Sequence, residues 1–309
     1  VKIEASVGVL INHDNKLLLA QRPAKKTWSG WWEFPGGKIE RGETPIQALK
    51  RELNEEIGVT VSSAEKWIVR EYSYDEIDVK LHFFKVIDWV GQIQPQEEQL
   101  LEWNNAFSPH VNPILPANEL IFKAIGLPDL YAITNAQEHP HDFIDLVENK
   151  LKEGLKLIQV REKSMQHKAY IDMTKAIIQM ASPYNARVMI NSDTELAYML
   201  GADGVHLNSE QLHTVSEKPI NLIVSASCHN KKDINEAIRK QLDFIVLSPI
   251  NKTPSHPEID GMGWNWLGEL LKKHNMPVYA LGGMKRTDIN KAFDNGAIGV
   301  ASQRSIWLD

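Results

Sequence analysis

Three glutamates, Glu52, Glu55 and Glu56, fall within five positions of GGKIERGETPIQALKRELNEEIGV, residues 36–59. That segment carries its own helix signals. Thr44 is a candidate N-cap, Pro45 takes the first helical position, Gln47 completes a capping box and Gly58 offers a left-handed stop. Ile46, Leu49, Leu53 and Ile57 then share one face, and the three glutamates project together from a neighbouring one. Carboxylates crowded onto one turn repel each other, and near a helix C-terminus they oppose its dipole. A solvated acidic face would explain any two of them. The full set points to a hard divalent cation, Mg2+ or Mn2+, held through oxygen. Such cations bridge phosphate oxygens and activate water for in-line attack. Arg51 lies in the same turn, placed to orient a carboxylate by charge-assisted hydrogen bonds.

The elements that must position this helix read as strands. Residues 5–11 and 16–20 resemble a hairpin with His13-Asp14-Asn15 as its turn, and residues 78–90 form another apolar, β-branched and aromatic run. Trp28, Trp31 and Trp32 either pack in the core or stack on a base. From Leu130 onward, short apolar runs alternate with stretches of helical period, the pattern of parallel βα units. Eight strands are predicted, at residues 130–133, 157–160, 188–191, 204–207, 222–226, 244–247, 278–281 and 298–301. They imply a closed (β/α)8 TIM barrel whose last helix is reduced, because the chain stops just after the eighth. Gly126-Leu127-Pro128-Asp129 is a breaker cluster that divides domains at residues 1–127 and 128–309. The fold class is thus α/β and α+β in two domains, as a length of 309 residues also suggests.

Composition narrows the partners. With 34 basic and 40 acidic side chains the net charge is −6, and no long Lys/Arg tract is present, so a polymeric nucleic acid is not expected. A nucleotide remains possible, since a metal supplies the neutralising charge. The single cysteine, Cys228, forms no internal disulfide, which fits a reducing compartment. No run approaches a membrane span, and VKIEASVGVL lacks a secretory layout. A cytoplasmic protein is the expectation.

The acidic segment resembles the Nudix box, G-x(5)-E-x(7)-R-E-U-x-E-E-x-G-U with U aliphatic, at Gly37, Glu43, Arg51, Glu52, Leu53, Glu55, Glu56, Gly58 and Val59. EFPGGKIERGETP (33–45) and LPANE (115–119) extend the likeness to the MutT-type 8-oxo-dGTP diphosphatases. The resemblance implies an α/β/α sandwich with a mixed sheet. It implies metal at the Gly36 carbonyl, Glu52, Glu55, Glu56 and Glu97, with Glu98 as a substitute for the last. It also implies catalysis by Glu52 or Glu97 as base beside Arg51, and nucleotide contacts from Arg22, Glu33, Phe34, Pro35, Gly36 and Asn118. A carboxamide at 118 suits both donor and acceptor groups of an oxidised guanine. It equally suits an N-cap for the helical run 119–125, and the two roles are compatible. Arg22 reads alternatively as a surface charge. Thr27 departs from the nucleotide-contacting His of MutT relatives, which bears on the fineness of guanine selectivity. The implied reaction is water attack on the β-phosphorus of 8-oxo-dGTP, giving 8-oxo-dGMP and pyrophosphate, a step of nucleotide-pool sanitation. Another nucleotide or a thiamine-related diphosphate is the alternative substrate.

LIQVREK (157–163), MIN (189–191), GADGVHLNSEQ (201–211), LSPINKTPSH (247–256) and ALGGM (280–284) resemble thiamine-phosphate synthase and its TenI relatives. In a barrel they sit at the C-terminal strand ends, where active sites form. Candidate ligand residues there are Gln159, Arg161 and Lys163, which share a side if the strand continues through them. Asn191 joins them, as do Gly282, Gly283 and Ser302 at the corner where backbone N–H groups cradle phosphate. A tight turn is the other reading of the glycine pair. The departures weigh more. Ser192 and Gln211 stand where the synthase holds metal with acidic residues, although Asp193 is adjacent. His256 stands for the basic residue of its phosphate-covering loop, and Pro249 for the tautomerase His. A pyrophosphate leaving group then lacks counter-charge. Synthase activity is not expected, and binding of a thiazole or pyrimidine phosphate, regulation or a structural role remain. His139 and His141 read as a surface loop rather than a metal pair, Lys231-Lys232 and Lys272-Lys273 as surface charges, and Cys228 as a packing residue.

Overall fold

The helix foreseen from the glutamate spacing runs over Pro45–Ile57 (α1). The Gln47 carboxamide oxygen accepts from both the Thr44 N–H and the Thr44 hydroxyl, at 2.9 Å each. Gly58 closes the helix at φ 73°, its N–H donating to the Asn54 carbonyl at 3.1 Å. Leu49, Leu53 and Ile57 are fully buried in a cluster with Leu10, Leu18, Val59, Val61, Phe84 and Val86. Burying such a side chain contributes about 1.5–3 kcal/mol. The apolar face therefore decides which way the carboxylates look.

The computed structural model describes residues 2–24, 26–75, 77–106, 108–139, 141–252, 260–272 and 274–308. The chain divides into two units: Val1–Leu127 with Gly268–Asn275 and Phe293–Gly296, and Pro128–Leu267 with Met276–Ala292 and Ala297–Asp309. In the first, β1 (Lys2–Leu10), β2 (Lys16–Gln21), β3 (Trp32–Glu33), β4 (Gly36–Lys38), β5 (Thr60–Ser73), β6 (Asp78–Val90) and β7 (Leu101–Asn105) form two sheets. Their orders are β4-β1-β6-β5 and β3-β2-β7, with α2 (Glu119–Ala124) closing the series. The first sheet is mixed, since β1 lies parallel to β6 and antiparallel to β4. The predicted hairpin needs correction. Asn12 does turn the chain, its side-chain oxygen accepting from the Asp14 and Lys16 amides, and Ile11 bridges Leu17. Beyond that bridge the two strands enter different sheets, because β6 takes one edge of β1 and Gly36–Lys38 the other.

The second unit is a closed barrel of parallel strands in the order β10-β11-β12-β13-β14-β15-β8-β9. These are β8 (Leu130–Ile133), β9 (Leu157–Val160), β10 (Arg187–Asn191), β11 (Gly204–Leu207), β12 (Ile223–Cys228), β13 (Phe244–Leu247), β14 (Val278–Ala280) and β15 (Gly299–Ser302). Between them run α3 (Phe143–Lys152), α4 (His167–Ala181), α5 (Thr194–Leu200), α6 (Ser209–Thr214), α7 (Lys231–Arg239), α8 (Trp264–Leu271) and α9 (Ile289–Asp294). After β15 comes a short 3-10 helix, Ser305–Trp307. Its Trp307 indole donates to the Ile133 carbonyl at 2.8 Å and packs on Phe143, which covers that flank.

Candidate active site

Two glycines bring the β4 strand against α1. Gly36 adopts φ 144°, and a Cβ there would meet the Ser6 carbonyl oxygen at 2.2 Å. A Cβ on Gly37 would lie 2.2 Å from a Glu52 carboxylate oxygen. The bare backbone lets the helix carboxylates approach the strand. The Gly36 N–H donates to Glu56 Oε2 at 3.0 Å. Burial raises the Glu56 carboxyl to about 7, with that hydrogen bond working against the shift.

Arg51 organises the rest. Its Nε and Nη2 hold both Glu43 oxygens at 2.8 Å, Nη2 also reaches the Lys38 carbonyl at 3.0 Å, and Nη1 bonds Glu52 Oε1 at 2.8 Å and Glu55 Oε2 at 3.2 Å. These bonds hold the Glu43 carboxyl down to about 2. One guanidinium thus orients two of the three helix glutamates, where the sequence suggested one.

Glu97 reaches the same place from far along the chain. The Gln94 and Gln96 amides bond the Ile57 and Glu56 carbonyls at 3.1 and 2.9 Å, and Gln99 Nε2 bonds the Glu56 carbonyl at 2.7 Å. They satisfy the open C-terminal end of α1 and dock the loop that carries Glu97. Lys26 then lies between the two acids, its Nζ 3.1 Å from Glu97 Oε2 and 3.9 Å from Glu56 Oε1. Glu98 has no such partner among the described residues. Sequence reasoning missed Lys26, Gln96 and Gln99. The glutamine-rich QPQEEQ after β6 was the only signal, and nothing in AKKTW distinguished one lysine from the next.

Beside these acids lies a second polar group. Arg22 Nη1 pairs with Glu33 Oε1 at 2.5 Å and its Nε bonds the Thr27 carbonyl at 2.7 Å, so it is not a free surface charge. Burial pushes the Glu33 carboxyl up despite that partner. Trp28 packs against Tyr74 with ring centroids 4.3 Å apart and planes tilted by 39°, and the Arg22 guanidinium lies 6.0 Å from the Trp28 ring. Phe34 is buried and stacked on Phe122, and the Pro35 carbonyl accepts from the Gly8 N–H at 2.8 Å. Asn118 is 4% exposed, yet its side chain caps no helix and bonds no described residue. The N-cap role is therefore absent, and the carboxamide remains available.

The donor set suits a hard divalent cation. Every candidate ligand is an oxygen, and one carboxylate is buried enough that burial alone resists its charge. In the present arrangement Glu52 and Glu55 face Arg51 and Glu56 faces Gly36. No three acidic, imidazole or thiol groups converge on one point among the described residues.

At the barrel mouth, β9 stops at Val160, so Gln159, Arg161 and Lys163 do not continue one strand face. The Thr134 hydroxyl takes the Arg161 N–H at 2.8 Å and the Glu162 carboxylate takes the Ala136 N–H at 2.8 Å, which turns the chain out of the sheet. Gln159 is buried and bonds Asn191 Oδ1 at 2.9 Å. Arg161, Lys163 and Asn191 line a cavity of about 210 Å³ with Glu162, Met165, His167 and Tyr170. The Arg161 guanidinium has no hydrogen-bond partner among the described residues. After β14 Gly282 and Gly283 hold φ 112° and 65°, while the Ser302 hydroxyl is already engaged by the Met284 carbonyl at 3.1 Å. Gln211 Nε2 donates to the Ser192 carbonyl at 2.8 Å, and Asp193 caps α5 through the Leu196 N–H at 2.8 Å. The neighbouring acid is thus committed to a helix end. His256 lies outside the described residues.

A helix face of oriented carboxylates against the Gly36–Gly37 strand, in one unit, and a polar cavity at the barrel mouth, in the other, are the two candidate small-molecule sites. The NUDIX domain family matches residues 2–125, and the thiamine monophosphate synthase family matches residues 130–306. The chain belongs to both families. Its first part is 36% identical to the 8-oxo-dGTP diphosphatase of Escherichia coli K12 over 118 residues, 38% of this chain and 92% of that one. Its second part is 37% identical to a putative thiamine-phosphate synthase 2 of Aquifex aeolicus over 177 residues, 57% of this chain and 95% of that one. A solved MutT structure, from work on Aliivibrio salmonicida and Vibrio cholerae, matches at 34% identity and TM-score 0.30, covering 34% of this chain and 82% of that one. Membership of the Nudix family makes the first unit a hydrolase of phosphoanhydrides. Among the described residues no helix is long and apolar enough to cross a membrane.

Proposed function

We propose that the first domain, residues 1–127, is a metal-dependent nucleoside triphosphate diphosphatase that converts 8-oxo-dGTP to 8-oxo-dGMP and pyrophosphate in the cytoplasm. The observation that carries this reading is the α1 carboxylate set, with Glu52 and Glu55 on one guanidinium and Glu56 on the Gly36 amide. Glu52, Glu55, Glu56, Glu97 and the Gly36 carbonyl would hold Mg2+ or Mn2+. When bound, the cation neutralises phosphate charge and polarises the anhydride. Glu52 or Glu97 accepts the proton of the water that attacks the β-phosphorus, as the bond to the α-phosphate oxygen breaks. Arg51, anchored by Glu43, keeps Glu52 and Glu55 in place. Arg22, Glu33 and the unengaged Asn118 carboxamide read the base, and the preference for 8-oxoguanine rests on Asn118 offering donor and acceptor together. A kinetic panel of 8-oxo-dGTP, dGTP, dCTP, ADP-ribose and thiamine diphosphate with saturating Mg2+ tests this. A clear preference for 8-oxo-dGTP supports it, and a preference for ADP-ribose or thiamine diphosphate overturns it.

The barrel, residues 128–309, reads as a binding module for a thiazole or pyrimidine phosphate without synthase activity. The Arg161 guanidinium at its cavity, with no hydrogen-bond partner among the described residues, favours an anionic ligand, and Ser192 and Gln211, which stand where the synthase family holds metal with acids, are bonded to each other. Calorimetry of the full chain with those phosphates tests it, and no binding leaves the barrel a structural role.

A further inference from the structure

Lys26 is a residue to which the mechanism above gives no role. Its ammonium lies 3.1 Å from Glu97 and 3.9 Å from Glu56. Those two acids are brought together without it, because Gln94, Gln96 and Gln99 fasten the Glu97 loop to the end of α1. Lys26 and Glu97 each have 45% of the side chain exposed, against 15% for Glu56, so the ammonium can turn to solvent where the Glu56 carboxylate cannot. Its charge also acts on Glu33 across the site. An ion pair this exposed is weak, so a divalent cation displaces it at small cost. Lysine keeps its charge on a flexible stem, and the nearest other anion in a nucleotide hydrolase is the polyphosphate itself.

We propose that Lys26 is an exchanging counter-cation: it balances Glu56 and Glu97 before the divalent metal binds, and pairs with the substrate's phosphates afterwards. Lys26 is thus a substrate-binding residue as well as a counter-cation, and the inference rests on the nucleotide-hydrolase reading. The two halves predict effects of opposite sign. Lys26→Met removes a competitor for the carboxylates and also a ligand for phosphate.

The test uses the full chain as wild type, Lys26→Met and Lys26→Arg. Mn2+ affinity without nucleotide is read from the free-Mn2+ electron paramagnetic resonance signal. Affinity of the Mn2+-loaded protein for α,β-methylene-dGTP is read by calorimetry. Lys26→Met should bind Mn2+ roughly two- to fivefold more tightly and the analogue about tenfold more weakly. Lys26→Arg should return both values to within about twofold of wild type, since it restores the charge. A merely structural lysine would weaken both affinities together. Unchanged or weaker Mn2+ binding in Lys26→Met, or analogue binding as tight as wild type, overturns the proposal. If wild type itself takes no analogue, the nucleotide reading fails and the phosphate half with it, while the Mn2+ arm still decides the counter-cation half.

Discussion

The end of α1 and the start of α6 are opposite solutions to having polar groups at a binding site. On α1, burial raises the Glu56 carboxyl to about 7, and among the described residues Arg51, Lys26 and a backbone amide face Glu52, Glu55 and Glu56. On α6, Gln211 spends its Nε2 on the Ser192 carbonyl and its Oε1 on the Asn208 N–H at 3.2 Å, leaving no charge over. The first arrangement is costly unless a cation completes it. The second is complete by itself. Two sites with phosphate-bearing ligands in prospect thus differ in the charge they leave over, and on the proposed reading a cation completes only the first.

The largest effect expected to sharpen this contrast is at Glu52. Glu52→Gln should lower kcat for 8-oxo-dGTP by about a thousandfold, with the thermal midpoint within about 2 °C of wild type. Comparable turnover in the variant would remove Glu52 from the chemistry. Next is Gly37→Ala, whose methyl would collide with the Glu52 carboxylate. Steady-state kinetics should show a loss of about a hundredfold in kcat, and near-normal activity would mean that Glu52 works from another position. In the barrel, Arg161→Ala should weaken binding of a thiazole phosphate by roughly tenfold to thirtyfold in calorimetry. EDTA should leave the wild-type affinity unchanged, and a drop on chelation would break the contrast. Smallest is Asn118→Ala, which should narrow the ratio of kcat/KM for 8-oxo-dGTP over dGTP by about five- to tenfold. An unchanged ratio assigns base reading elsewhere.

What was legible in the sequence followed from local periodicity. Thr44, Pro45, Gln47 and Gly58 bounded α1 because capping is a matter of four or five consecutive residues. The barrel strands were readable because a strand buried on both faces is one continuous apolar run, and 130–133, 157–160, 204–207 and 244–247 needed no adjustment. What escaped were pairings decided by competition across the chain. β1 and β2 look like a hairpin until Gly36–Lys38 claims the free edge of β1. Arg161 and Lys163 looked like strand residues until Thr134 and Glu162 turned the chain. Lys26 meets Glu97 across 71 positions, a distance no motif spacing encodes.

The central claim is that α1 carries a metal-requiring hydrolytic centre. Pyrophosphate release from 8-oxo-dGTP by the full chain, followed as Mg2+ is titrated from zero to saturation, tests it most directly. The account predicts no turnover without the cation and saturable turnover with it, yielding 8-oxo-dGMP and pyrophosphate in equal amounts. Absence of phosphoanhydride cleavage at saturating Mg2+ and Mn2+, or turnover indifferent to chelator, would contradict it.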